Sequence, residues 1–193
     1  MVRLEIDTNG VNEIIEKYKD ECNKIPESVS RAINRSLEMT KTEMIRVAKK
    51  KYTVRESKLR NSINIFKSHK HNLNGTIISS GRTIGFDHFK LTPKVRIKRR
   101  ILKVEIIRGN QKALPHAFIA YKSGRLGAFE RTGTFKSIPG KRKDIRRETI
   151  KRLRTTSAPQ MLGNKDTISY LQGYATEKFK QRLIHEIERG LDD

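Results

Sequence analysis

Between Val29 and Ala48, apolar or small side chains return every three or four residues for five turns: Val29, Ala32, Ile33, Leu37, Thr40, Met44, Val47 and Ala48. A stripe of this period is buried along its whole length only by an α-helix that lays one face on a neighbour. Arg31, Arg35, Glu38, Lys41 and Arg46 fall on the opposite face. Pro26 suits the first helical turn, where its missing N–H is not needed. A second stripe (Ile168, Leu171, Ala175, Phe179, Leu183 and Ile187) follows Asn164, which suits an N-cap, and ends near Gly190. A weaker one (Val11, Ile14, Ile15, Tyr18, Cys22 and Ile25) predicts a helix over Val11–Ile25. Thr53 with Glu56 reads as a capping box opening a short helix from Val54 to about Asn61.

The middle of the chain has another period. Ile63–Phe66, Thr76–Ser79, Phe86–Val95, Ile101–Ile107 and His116–Tyr121 are short β-branched or alternating runs. Asn74-Gly75, Gly81, Gly109-Asn110 and Gly124 separate them, so hairpins of an antiparallel sheet are expected. Pro93 marks an edge strand or its end. Ala128–Arg131 and Phe135–Ile138 flank Gly133 as one further hairpin, and Val2, Leu4 and Ile6 alternate as a short strand. The expectation is one α+β domain over residues 1–193. Its N-terminal helices lie within 1–62, a central antiparallel β-sheet within 63–140, a basic connector at 141–163 and a C-terminal helix at 164–190.

Charge limits what such a domain does. The 43 lysines and arginines against 21 acids leave a net charge of +22, where a comfortable small domain carries roughly 2–8. Such a chain repels itself unless nucleic acid, an acidic protein surface or an anionic membrane lies near; a solubility surface is the bland alternative. Size scaling lets about 70% of the unfolded surface be buried. With only 35% hydrophobic residues against 33% charged, the chain is amphipathic throughout or completes its burial on partners. No run approaches the roughly 18 apolar residues of a membrane span, and Met1–Glu5 lacks a signal-peptide core. Cys22 stands alone, which excludes a disulfide framework and a multi-cysteine metal site. A reducing, soluble compartment is expected.

The residues offer little for catalysis. A nuclease needs carboxylates grouped around Mg²⁺, whereas Asp87, Glu105 and Glu130 are scattered in a basic background. His69 and His71 sit beside Lys67 and Lys70, which disfavours a cation there. His88 and His116 have no companion at ligand spacing, and no phosphate-loop, zinc-protease or nucleophile-elbow motif occurs. No enzyme activity, cofactor or metal is expected.

Two basic clusters remain. Lys94, Arg96, Lys98, Arg99, Arg100 and Lys103 gather where two strands would meet. The run Lys141–Arg154 adds Lys141, Arg142, Lys143, Arg146, Arg147, Lys151, Arg152 and Arg154, as a helix or as a segment ordered by a partner. Aromatic residues do not interleave with them, so a nucleic-acid contact would be to phosphate and blind to sequence. The alternative is that they meet acidic protein partners or solvent. Pro159 holds its predecessor extended. Pro159, Gln160, Met161 and Leu162 then form a connector whose Met161 and Leu162 fill a neighbouring subunit's groove or cover the chain's own sheet.

Several segments in order carry a resemblance: Ala32-Ile33-Asn34-Arg35, Lys50-Lys51-Tyr52-Thr53-Val54, Ser80-Gly81-Arg82-Thr83-Ile84, Leu114-Pro115-His116-Ala117-Phe118-Ile119-Ala120, Phe129-Glu130-Arg131-Thr132-Gly133, and Ser157-Ala158-Pro159-Gln160-Met161-Leu162-Gly163-Asn164. Together, over residues 29 to 190, they resemble the phage minor tail protein Z family of tail-completion proteins. Gly85 and Asp87 make the stretch after Ile84 more polar than the resemblance implies. It implies a non-enzymatic virion component at the head-proximal end of a phage or phage-like tail, made in the host cytoplasm and assembled as a hexameric ring. Its partners would be other tail and neck proteins, around a passage for phage DNA, with no membrane. The other reading is a cellular, sequence-nonspecific nucleic-acid-binding accessory protein.

Overall fold

The computed structural model describes residues 1–5, 25–98, 100–122, 124–138 and 146–192. Their helices are α1 (Ile25–Lys51), α2 (Glu56–Arg60), α3 (Ala158–Leu162) and α4 (Lys165–Asp192). Their strands are β1 (Val2–Glu5), β2 (Ile63–Phe66), β3 (Thr76–Ser79), β4 (Lys90–Thr92), β5 (Leu102–Glu105), β6 (Gln111–Leu114), β7 (Ala117–Lys122), β8 (Arg125–Ser137) and β9 (Arg146–Arg152). All strand pairs are antiparallel, so the chain is α+β. The helix expected over Val11–Ile25 lies outside the described residues except for Ile25, where α1 begins.

The residues divide into two compact units. The first holds residues 1–48, 59–81 and 158–193. Its sheet runs β1-β3-β2. The two long stripes become α1 and α4, burying Ile33, Leu37 and Met44 from one and Leu171, Phe179, Leu183 and Ile187 from the other. Arg31 bonds Glu186 at 2.9 Å, and Tyr170 donates to Glu43 at 3.0 Å. Cross-links that pair 31 with 186 and 43 with 170 set the helices antiparallel. Asn34 fastens α1 to the segment after β2: its amide donates to the Ser68 carbonyl at 3.0 Å, and its Oδ1 accepts from the Ser68 N–H at 2.8 Å. That clamp satisfies both backbone groups of a buried residue.

Gly75, expected as a turn residue, is needed for close approach. A Cβ there would stand 2.4 Å from Ile33 Cγ2 and 2.8 Å from Leu37 Cδ1. The segment Ser157–Leu162 is not an extended connector: Ala158–Leu162 forms α3, with Ala158, Pro159, Met161 and Leu162 buried. Proline in the first turn gives up no hydrogen bond, so Pro159 starts this helix instead of blocking it.

The second unit holds residues 49–58 and 82–157, in two sheets ordered β4-β5-β6 and β7-β8-β9. The C-terminal carbonyls of α1 are satisfied by Arg108, whose N–H bonds Lys51 O at 2.9 Å and whose Nε bonds Lys49 O at 2.7 Å. The Thr53 hydroxyl donates to the Glu105 carbonyl, so it joins α1's end to β5 rather than capping a helix that begins only at Glu56. The run Phe86–Val95 divides into a 3₁₀ turn at Phe86–His88 and edge strand β4, which ends before Pro93. No hairpin closes at Gly133. β8 continues through it, with a register irregularity between Arg131 and Phe135 in which Gly133 takes φ +71°. The charge run also departs from expectation: Arg146–Arg152 is neither helix nor loop but strand β9, hydrogen-bonded to β8.

Two glycines should respond oppositely to alanine. Gly75→Ala overpacks the α1–β3 contact and should lower stability by about 1–3 kcal/mol. In Gly173→Ala the new methyl meets nothing within 4 Å on α4, and it should raise stability by about 0.5–1 kcal/mol. Thermal melts of the two variants test this.

Candidate functional site

The second unit is organised around one charged pair. Asp87 lies in the 3₁₀ turn, 9% exposed, and both its carboxylate oxygens accept from Arg152 Nη2 of β9 at 2.8 Å. Gly85 makes room, since a Cβ would come within 2.4 Å of Asp87 Oδ1 and 3.3 Å of Arg152 Nε. Around the pair the chain doubles back on itself: Phe86 N–H bonds Leu153 O, Thr155 N–H bonds Ile84 O, and Ile84 N–H bonds Thr156 O. The imidazole of His88, 3.3 Å from Asp87, titrates below its ordinary range. Burial is the largest cause, opposed by Asp87 and reinforced by Lys58, Arg55 and Arg152.

Beyond this anchor, β8 and β9 run on as a two-stranded ribbon. Residues 131–137 of β8 are all exposed. Lys136 stands opposite Arg147 and Phe135 opposite Glu148. Strand alternation puts Arg147, Thr149 and Lys151 on the face opposite Arg152. Thr149 joins Thr132 and Thr134 through their hydroxyls. Glu148, on the other face, is held by Arg131 at 2.5 Å and by the Gly133 N–H at 3.1 Å.

The loop between β4 and β5 makes a different surface. Lys94, Val95, Arg96, Ile97 and Lys98 alternate basic with apolar, as a half-buried strand would. Yet Val95, Ile97 and Ile101 are 65%, 43% and 51% exposed. Together with Pro115, Ala117, Phe118 and Ile119 they line an open groove of about 500 Å³. Arg96 and Arg131 each place a guanidinium over the Phe118 ring, at 5.8 and 5.7 Å.

The expected basic residues therefore separate. Lys94, Arg96, Lys98 and Arg100 rim the groove or flank it, and Lys103 is exposed on β5 opposite Thr92 and Ala113. Arg146 and Arg147 are exposed on the ribbon, Lys151 is exposed at its base where β7 still pairs with β8, and Arg154 is exposed beside Gly85. Arg152 is a correction: it points inward to Asp87, so its charge is spent inside the unit. Arg99, Lys141, Arg142 and Lys143 lie outside the described residues. A second correction concerns the expected subunit contact. Pro159, Met161 and Leu162 are buried in the first unit's own core, with Met161 4% and Leu162 0% exposed; only Gln160 faces outward. Groove residues Val95, Ile97, Ile101 and Phe118 carry no site motif in the sequence, although the Lys94–Lys98 alternation of basic and apolar residues is legible there. Lys136 joins Arg147 only through strand pairing.

Two of the three scattered carboxylates, Asp87 and Glu105, hold cations of the chain itself. Asp87 holds Arg152. Glu105 sits below the ordinary carboxylate range because the Lys90 ammonium, 2.7 Å away, and then the Gly109 N–H bond to it. Glu130 stands opposite Ala117 and Lys151. Among the described residues no three His, Cys, Asp or Glu side chains come together to hold a metal ion.

Removing Asp87's charge strands Arg152. Because Arg152 is 29% exposed, Asp87→Asn should cost about 2–3 kcal/mol, below the 3–5 kcal/mol of a fully buried pair; chemical denaturation measures it. Compared with known proteins, the chain matches no family model, no curated protein and no solved structure.

Proposed function

We propose that this protein is a non-enzymatic structural component of a phage or phage-like tail, a tail-completion protein at the head-proximal end that assembles as a ring around a DNA passage. The observation that carries the reading is a pair of unfilled surfaces on the second unit. The groove offers Val95, Ile97 and Ile101 to solvent in the pattern of a half-buried strand, and the ribbon offers cations. Apolar side chains left at a rim of charge mark a protein contact. The cations beside them favour a partner segment carrying carboxylates. The sequence resemblance to the phage minor tail protein Z family supplies the identity of the assembly. The ring's hexameric order comes from that resemblance alone.

A cellular accessory protein that binds nucleic acid without sequence preference shares the basic ribbon. It has no need of an apolar groove, and this favours the tail reading.

Tail particles purified from producing cells should contain the protein. Val95→Ser, Ile97→Ser and Ile101→Ser together should leave the free chain's melting temperature unchanged while depleting it from particles at least tenfold. A wild-type chain found only as a monomer on cellular nucleic acid, never in a particle, would reject the reading.

A further inference from the structure

The two basic surfaces differ in chemistry, and the difference assigns them different partners. The groove interleaves its cations with exposed aliphatic side chains, which gain nothing against phosphate. The ribbon face bearing Lys136, Arg147 and Lys151 interleaves its cations with the hydroxyls of Thr132, Thr134 and Thr149. Hydroxyls and cations are the groups that contact phosphate oxygens without reading sequence. Among the described residues, none of these three cations forms an ion pair; Glu130 stands opposite Lys151 on the same face, and Glu148 is neutralised on the other face by Arg131. A two-stranded β-ribbon also has the width that the major groove of B-form DNA admits.

We infer that the β8–β9 ribbon is this protein's contact with duplex DNA, made through Lys136, Arg147 and Lys151, while the groove serves protein. The inference rests on the proposed tail function and names the surface that meets its DNA. Contacts of this kind are phosphate contacts, so their signature is salt dependence rather than sequence preference.

The test measures anisotropy of a short labelled B-form duplex with the full chain across a salt series. Each phosphate contact contributes about −0.9 to the slope of log affinity against log salt. The triple variant Lys136→Gln, Arg147→Gln, Lys151→Gln should flatten that slope by nearly three. Wild type then loses about 40-fold more affinity than this variant between 50 and 200 mM salt. Lys94→Gln, Lys98→Gln and Arg100→Gln together remove the same net charge and should keep the wild-type slope. The charge-conserving set Lys136→Arg, Arg147→Lys, Lys151→Arg should restore it, which separates charge from fold. The inference is overturned if the loop variant flattens the slope as much as the ribbon variant, or if wild type does not bind duplex at the lowest salt. Incorporation into tail particles, scored on the same variants, keeps the two ideas apart. A ribbon variant lost from particles with an unchanged salt slope makes the ribbon a protein contact and leaves the tail function standing. Wild type absent from particles removes that function whatever the slope.

Discussion

A guanidinium drawn from water needs acceptors for its charge, and in the second unit Asp87 gives Arg152 both its carboxylate oxygens. That contact decides which way β9 faces. Side chains alternate along a strand, so fixing Arg152 inward fixes Ile150 and Glu148 on the same side and turns Lys151, Thr149 and Arg147 outward. A slip of one residue would turn Lys151 toward Asp87 and put Arg152 among the threonines. Arg152 meets both Asp87 oxygens through Nη2 alone, so this ion pair adds to the ladder hydrogen bonds that hold the register. Gly85 completes the arrangement, because no larger residue leaves space for the pair.

Once β9 is set, the surplus of positive charge is sorted. One cation goes inside against Asp87. Others lie with aliphatic neighbours around the groove, and a third set lies with threonines on the ribbon. Self-repulsion in a chain of net charge +22 is lowered by partners of opposite sign. Two surfaces of different polarity allow two kinds of partner at once. The proposed subunit of a ring around DNA would need that combination: apolar contacts to hold its neighbours and phosphate contacts that ignore sequence as DNA passes.

Much of the fold was legible in residues. The stripes at Val29–Ala48 and Ile168–Ile187 became α1 and α4 because five or more turns of one period admit no other burial. Ile63–Phe66 and Thr76–Ser79 are strands with the expected ends, and Ile101–Ile107 and His116–Tyr121 nearly so, whereas Phe86–Val95 keeps only Lys90–Thr92 as strand. The failures have physical reasons. Charge density hid β9, since a run with eight cations reads as helix or loop until a paired strand and an inward acid account for it. Gly133 between two short apolar runs has the look of a hairpin turn, whereas its left-handed backbone serves an irregularity inside one long strand. Pro159 reads as part of an extended connector, whereas it opens α3, because a proline in the first helical turn gives up no hydrogen bond. Gly85, which only adds polarity after Ile84, and Asp87, one of three scattered carboxylates, are the seat of the ion pair. Their partner lies 65 residues away, beyond the reach of any local pattern.

The central claim is that this chain works by its surfaces, joining subunits through the groove and facing DNA with the ribbon. An electron-microscopy reconstruction of the tail particle with this protein located in it tests that claim most directly. The account predicts a ring of copies at the head-proximal end, groove turned to a neighbouring protein and the β8–β9 ribbon turned to the central channel. Density that places the ribbon on the outer wall, or a complete tail end with no copy of the chain in it, would contradict it.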